Sequence, residues 1–460
     1  MSRAFLILLF LCSSSLIFGA ERIYTLEEAV RKGLENNREL VFREREAEIQ
    51  MKKTGLEYRK FFPELSFGFG VSDNVQYGGT DSHSRQVNIG VSQLLYDRGV
   101  LAAGIKLGKE EAELNRLRLR EEREIYIYSV TEAFRDVLER KKELEILSAA
   151  HGLILEQLET GKMERELGEM TGNDYLELEM AVSDMEIGMN RGVRKVRDAA
   201  EALRLIIGVD AEDIDVAGEL NSGFEGFLGD VWEKAPASGT EYGTEIREKL
   251  FILNRAESEH RIMKRMNIPE ISLACDFFMR GKSFKETEKG YSVTLSLDFA
   301  GSVLPGKING GIGRSGGNLR SRELSGEGTL MGNGESFYSG ESGKIKAERA
   351  RYEYEECCSE TESRIRQMQG EIKVLKENLR LMKRRSELEK RKLEIEKIRL
   401  ELGEIKRTDY VESLVETIGS ETEVIRCISE LYSAEKNLAL ILGLETAAGS
   451  GKLLVKGGML

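Results

Sequence analysis

Two stretches of this chain are copies of one another. Glu166 to Gly208 and Glu401 to Gly443 align without a gap, 235 positions apart. They share Glu-Leu-Gly-Glu at the start, Asp-Tyr nine residues in, and a closing Leu-x-Leu-Ile-x-Gly. Upstream, Pro63-Glu-Leu-Ser-Phe matches Pro269-Glu-Ile-Ser-Leu, and Val87-Asn-Ile-Gly-Val matches Val293-Thr-Leu-Ser-Leu, both 206 positions apart. The chain is therefore one unit written twice, and whatever the first half folds into, the second must be able to repeat. The two offsets differ because the second copy is longer, and the Gly/Ser-rich stretch Gly301 to Gly343 reads as the insertion.

Within each copy the hydrophobic period changes in the same order. Thr25 to Lys60 has helical spacing, with Leu26, Ala29, Val30 and Leu34 on one face. Pro63 stops that helix. Leu65, Phe67, Phe69 and Val71 then alternate with Ser66, Gly68, Gly70 and Ser72. After a polar loop from Asp73 to Arg85, Val87, Ile89 and Val91 alternate with Asn88, Gly90 and Ser92. The second copy repeats this with Ile271 and Leu273, then with Tyr291, Val293, Leu295, Leu297 and Phe299. The spacing predicts hairpins over 65–95 and 271–299. Each run can reach the ~10 residues that a tilted strand needs to cross a bilayer. On periodicity alone, two hairpins of a soluble sheet compete with four strands of a membrane barrel.

A long helix follows each hairpin. Gly99 to Leu167 carries Ile127, Val130, Phe134, Val137 and Leu144 on one seam. Ile365, Met368, Ile372, Leu375, Leu379 and Met382 step by three and four, a coiled-coil signature, with Leu393 and Leu400 in phase. At ~1.5 Å per residue the first of these helices would span roughly 100 Å. The flanking helices, Thr25 to Lys60 and Asn173 to Ile207, are each about half as long, so two end to end match one long partner. A plain coiled-coil spacer would share this pattern.

The ends and the composition narrow the function. Residues 1–20 read as a signal peptide: Arg3, an apolar run from Ala4 to Phe18 interrupted by Ser13 to Ser15, and Ala20 at the cleavage position. No later segment is apolar for long enough to span a bilayer as a helix, so membrane contact would have to be made by strands. A formal charge of −12 disfavours a nucleic-acid partner. After cleavage Cys275, Cys357, Cys358 and Cys427 remain, too scattered for a disulfide scaffold. The three histidines, His83, His151 and His260, have no metal-ligand spacing. Gly311-x-Gly313-x-x-Gly316 fits a dinucleotide-binding pattern, but no apolar helix opens from it and its surroundings are equally glycine-rich, so it reads as a chance match. No catalytic residue, cofactor or metal is expected.

Several motifs resemble those of the TolC-like outer-membrane efflux proteins. Thr25-Leu-Glu-Glu-Ala-Val with Leu34-Glu-Asn-Asn resembles the family's opening. Pro63-Glu-Leu-Ser-Phe and Val91-Ser-Gln-Leu-Leu-Tyr-Asp-Arg-Gly resemble its strand motifs. Gly168 with Asp174, and Gly403 with Asp409, resemble its periplasmic turns. The resemblance covers Tyr24 to Leu442. It implies a mostly α fold with a small β part: duplicated long helical hairpins forming a periplasmic α-barrel, and four strands per chain in the twelve-stranded transmembrane β-barrel of a homotrimer. It further implies outer-membrane lipid around the barrel, a large periplasmic portion, and partnership with a periplasmic adaptor and an inner-membrane pump, for efflux of small molecules or secretion of polypeptides. The division expected is 21–208 for the first repeat, 209–244 for an equatorial linker, 245–443 for the second repeat and 444–460 for a tail. Two departures stand out: Leu297-Asp-Phe-Ala-Gly replaces the second copy's leucine–aromatic–glycine ending, and 301–343 lengthens the junction after it.

The resemblance also implies a pore aperture at the periplasmic tip, ringed by Asp409 and Glu412 in the second copy and Asp174 and Glu177 in the first. Helix capping is the competing role, since Thr171 followed by Asp174 makes a capping box and acids favour a helix N-terminus. Lys406 has no acceptor with which to cap. The competing reading of the whole chain is a periplasmic coiled-coil adaptor or spacer without a barrel.

Overall fold

A computed structural model describes residues 22–74, 82–209, 214–218, 243–282, 287–299, 304–316, 319–329, 334, 336–443, 445–446 and 453–454. The signal peptide, most of the 209–244 linker and most of the tail lie outside the described residues. In chain order the elements are β1 (Arg22–Tyr24), α1 (Leu26–Asn36), α2 (Arg38–Glu57), β2 (Glu64–Asn74), β3 (Ser82–Tyr96), α3 (Val100–Leu167) and α4 (Gly172–Ile207). They continue with β4 (Ile214–Val216), α5 (Thr244–Lys264), β5 (Glu270–Gly281), β6 (Thr287–Asp298), β7 (Gly306–Ser315), β8 (Leu319–Gly328), α6 (Ser336–Glu401) and α7 (Arg407–Ile441). Helix, hairpin, long helix and shorter helix thus occur twice in succession. The fold of the described residues is mostly α with a small β part, chiefly one antiparallel sheet.

Two compact units divide the chain, and they cut across the sequence repeats. A helical unit takes 1–42, 119–243 and 361–460; a sheet unit takes 43–118 and 244–360. Among the described residues, no helix is long and apolar enough to cross a membrane.

The helical unit has three cores. Around the first, Thr25 caps α1 by a reciprocal box with Glu28, which sets Ala29 and Val30 facing inward, essentially without solvent contact. They pack with Ile127, Val130, Phe134 and Val137 of α3, Leu203 and Ile207 of α4, and the ribbon in which β1 runs parallel to β4. Asn36 closes the other end of that core: its amide donates to the carbonyls of Ile207 and Gly208 at 3.0 and 2.9 Å, where α4 ends on a left-handed Gly208. Asn37, extended, breaks the helix expected over Thr25 to Lys60 into α1 and α2, and its side chain accepts from the Leu40 N–H. The second core joins α6 to α7 along the coiled-coil seam, with Ile365, Ile372 and Leu438 fully buried. The third unites α3, α4 and α7 through Ile154, Leu178, Val182 and Leu414.

The sheet unit differs from expectation in one respect. The sequence reading has four strands; the sheet has six, in the order β2-β3-β5-β6-β7-β8, every neighbouring pair antiparallel. The stretch read as a glycine-rich insertion, 301–343, contains a third hairpin, β7–β8, and the first turns of α6. Glycines and charges hide the alternation, because both are depleted in strands and only Ile308, Ile312 and Leu324 mark the apolar side. Gly311 and Gly313 of the GxGxxG pattern are ladder residues of β7, paired with β6 and with β8.

Register makes the sheet two-faced. Directly opposed residues share a face. One row across it is Phe67, Ile89, Phe277 and Tyr291; the next is Leu65, Val91, Cys275, Val293 and Ile312. The opposite face carries Ser66, Gly90, Asp276, Ser292, Gly313 and Ser321 in a single row. Crowding accounts for the glycines there: a Cβ on Gly90 would meet Asp276 and Ser66 at 2.5 and 2.6 Å. Among the described residues nothing covers the apolar face, where Leu65, Phe67 and Phe69 are 73, 70 and 77% exposed. At the foot of the sheet Arg98 and Gly99 take positive φ, and the Asp97 carboxylate accepts from the N–H groups of Gly99 and Leu101, turning β3 into α3.

Charges are also buried among the helices. Arg135 of α3 donates to the Ser429 carbonyl at 2.7 Å and lies 5.1 Å from the centre of the Tyr432 ring. Glu435, with no solvent contact, pairs with Lys376 of α6 at 3.1 Å. Lys436, 4% exposed, sits 6.0 Å from the centre of the Tyr128 ring, and burial drives its ammonium down from an ordinary 10.5 to about 8. A lysine depressed in the folded state is charged against its surroundings below that pH. Its penalty therefore fades as pH rises from about 8 to about 10.5. Thermal unfolding followed by far-UV ellipticity should show stability rising across that window. Lys436→Met should flatten the slope and add on the order of 2 kcal/mol at pH 7. Parallel pH curves for the two proteins would mean that the ammonium is hydrated.

Candidate functional site: the helical turns of the two repeats

The four acids singled out in the sequence lie at the starts of α4 and α7, each just after a short turn. Both turns are built alike. Leu167 ends α3 and Leu402 directly follows the end of α6, and the next residues, Gly168 and Gly403, adopt φ of +78° and +75°, a conformation costly to any side chain. The chain then reverses, with the Glu169 and Glu404 N–H groups donating back to the carbonyls of Glu164 and Arg399 at 2.8 and 2.9 Å. The repeated Asp-Tyr pair divides its labour in each copy. Tyr175 and Tyr410 turn inward, 8 and 5% exposed, and fix the turn to the bundle. The Arg165 guanidinium lies 4.2 Å from the centre of the Tyr175 ring.

The acids themselves are not equivalent. In the first copy the Thr171 hydroxyl accepts from the Asp174 N–H at 3.1 Å, an ordinary N-cap. The Asp174 carboxylate is held below the usual range, first by its hydrogen bond with Thr171 and then by Lys406, whose Nζ lies 3.1 Å from Oδ1. Glu177 is exposed and accepts from the Asn173 amide at 3.0 Å. In the second copy the cap runs the other way. Lys406 offers no acceptor, and the Asp409 carboxylate accepts from the Lys406 backbone N–H at 3.4 Å. Asp409 and Glu412 are both exposed.

Lys406 is the residue that sequence reasoning passed over. Its ammonium is held above the ordinary lysine range, chiefly by Asp174, with Asp409 and Glu177 adding to the negative field around it. One cation thus gathers three of the four acids. Beside it Arg407, its side chain 11% exposed, forks onto both oxygens of Glu164 and donates to Gln157 of α3. The signal available in the sequence was a Lys-Arg pair where the first copy has Thr-Gly: a basic substitution at the one place where capping chemistry belongs. What the arrangement offers chemically is a concentrated, partly neutralised carboxylate cluster at a helical turn, suited to attracting cations.

No protein-family model matches the sequence, and no curated protein matches it. Solved structures do. The chain is similar to CusC, in crystal structures described for conformational changes accompanying folding and transmembrane channel formation, at 11% identity and a TM-score of 0.72, covering 93% of this chain and 95% of that one. It is similar to the CmeC outer membrane channel of Campylobacter jejuni at 13% identity and a TM-score of 0.68, covering 91% and 85%. It is similar to the outer membrane protein VceC of Vibrio cholerae at 11% identity and a TM-score of 0.68, covering 91% and 96%. Low identity over nearly full length is agreement in backbone path, and the fold of this chain is that of the TolC-like outer-membrane channels.

Proposed function

We propose that this protein is the outer-membrane channel subunit of a tripartite export system, a homotrimer working with a periplasmic adaptor and an inner-membrane pump to move small molecules or polypeptides out of the cell. The observation that carries the reading is the two-faced sheet. Its apolar side is bare, and its other side is lined by serine, glycine and asparagine; lipid would cover the first and water would fill the second. A single sheet of this size cannot close on itself, as the smallest known barrels have about eight strands, so several chains must share one barrel. The signal peptide expected at 1–20 supports export, and the long helices suit a periplasmic tunnel. The adaptor reading leaves a bare apolar sheet without a role.

The narrow end of that tunnel would be the helical turns, with Asp409 and Glu412 ringing the aperture. Asp174 and Glu177 belong to the same cluster, but Asp174 is engaged by Thr171 and Lys406 and contributes less free charge.

Light scattering of the detergent-extracted protein should give a trimer; a monomer that stays soluble without detergent overturns the barrel. In planar bilayers the resting channel should conduct poorly, prefer cations and be plugged by multivalent ones, since clustered carboxylates in a confined site bind them more strongly than dispersed surface acids do. Asp409→Ala with Glu412→Ala should abolish the plug. Lys406→Ala should have the opposite effect and sharpen cation preference, because Asp174 then loses its counter-ion. Unchanged recordings in both variants would leave all four acids as helix caps.

A further inference from the structure

The third hairpin raises a question that the fold likeness does not answer: which strand of this chain meets the next copy. We propose that β7–β8 is part of the barrel wall, so that β8, and not β6, pairs with β2 of the neighbouring copy. This rests on the channel reading above. Three copies would then close an eighteen-stranded barrel where four strands per chain would close one of twelve.

Four observations carry it. First, β6 has no edge left to give: β5 holds one side over Glu270–Gly281, and β7 holds the other through nine residue pairs from Gly290↔Ser315 to Asp298↔Lys307. Second, β7 and β8 are each ten residues long, within the ~9–11 that a tilted membrane strand needs. Third, both faces run on into the hairpin, the apolar one carrying Arg314, Arg320 and Arg322 toward the end away from Ile308. Ile308, Ile312 and Leu324 continue the apolar side, with Leu324 82% exposed. Gly313 and Ser321 continue the crowded row of Ser66, Gly90, Asp276 and Ser292, and a Cβ on Gly313 would meet Ser321 at 2.8 Å. Fourth, six strands in an antiparallel meander leave β2 and β8 running in opposite directions, so that β8 of one copy meets β2 of the next antiparallel, as a continuous ladder requires.

Charge fixes where the hairpin would sit in depth. Arg314 and Arg320 fall in the row of Phe67, Phe277 and Tyr291, and Arg322 one row nearer the helices. Arginine on a lipid face is tolerated near the interface and costly at the midplane. The row that joins aromatic rings to guanidiniums is therefore the outer girdle, six residues or ~20 Å along the strand from the row of Ile308. Barrel diameter grows roughly in proportion to strand number, so eighteen strands enclose a pore about half as wide again as twelve, in the range of the porins.

Cysteine cross-linking decides it. After replacing Cys275, Cys357, Cys358 and Cys427 by serine, Ser321→Cys in β8 is combined in turn with Glu64→Cys, Ser66→Cys and Ser72→Cys in β2, to allow for stagger. Ser292→Cys in β6, from the same row as Ser321, replaces it in a parallel series. Copper-phenanthroline oxidation of the detergent-solubilised protein should give ladders of covalent dimer and trimer in the Ser321 series and only monomer in the Ser292 series. Ladders in the Ser292 series alone would place the hairpin outside the wall and overturn the proposal, with the channel reading intact. Monomer in both series, from a protein that light scattering also finds monomeric, would overturn both. Monomer in both series from a protein that light scattering finds trimeric would overturn the β8–β2 joint alone.

Discussion

Backbone hydrogen bonding is the constraint on which the rest of this molecule depends. A strand satisfies its N–H and C=O groups only through neighbours on both edges, and a bilayer offers no water as a substitute. Four of the six strands here are satisfied within the chain; β2 and β8 each have one edge open. The same sheet carries an apolar face that no other described segment covers. The described residues of a single copy solve neither problem. On the channel reading proposed above, assembly of several copies would answer both through the sheet alone.

The helices answer a different requirement, that of holding very long elements in one register. Apolar seams alone can slip by a heptad at little cost. Buried charge resists slippage, because a shifted guanidinium or carboxylate would lose its partner while remaining out of water. Arg135 on the Ser429 carbonyl and Lys376 on Glu435 tie α3 and α6 to fixed points of α7. Glu139, its pKa raised by burial and eased by a hydrogen bond from Ser429, belongs to the same layer.

Much of this was legible in the sequence, and for identifiable reasons. Leu26, Ala29, Val30 and Leu34 predict a helix with one buried face, because that spacing acts within a turn or two. Gly168 and Gly403 mark left-handed turns for the same local reason. The strand parity of Phe67, Phe69, Val293 and Leu295 is a period of two that needs no partner to be seen. What escaped depends on distant chain. Seven of the ten residues of β7 are glycine, charged or serine, and the strand exists because ladders on both sides hold it. The β1–β4 ribbon joins segments about 190 residues apart and is only three residues long. Asn36 has a role as the closure of α4 that no neighbour in sequence reveals. At the turns, acids were visible and their partner was not, since Lys406 acts on Asp174 from the other half of the chain.

That last contrast bears on the order in which the chain acquires its structure. The turn between α3 and α4 is secured by contacts three to six residues apart: Thr171 with Asp174, Met170 with Glu164. It can form as soon as its own segment exists. The turn between α6 and α7 has its own local contacts, the Glu404 N–H on the Arg399 carbonyl, the Arg399–Glu404 ion pair and the weaker backbone contact from Lys406 to Asp409, and is fastened in addition through Lys406 and Arg407 to residues more than 230 positions earlier. Local contacts form ahead of distant ones because little loop entropy stands in their way. A polypeptide that emerges from a translocon amino-end first would therefore present a finished first turn as the template on which the second is seated, and the two copies of one ancestral unit would have become, in effect, a mould and its casting.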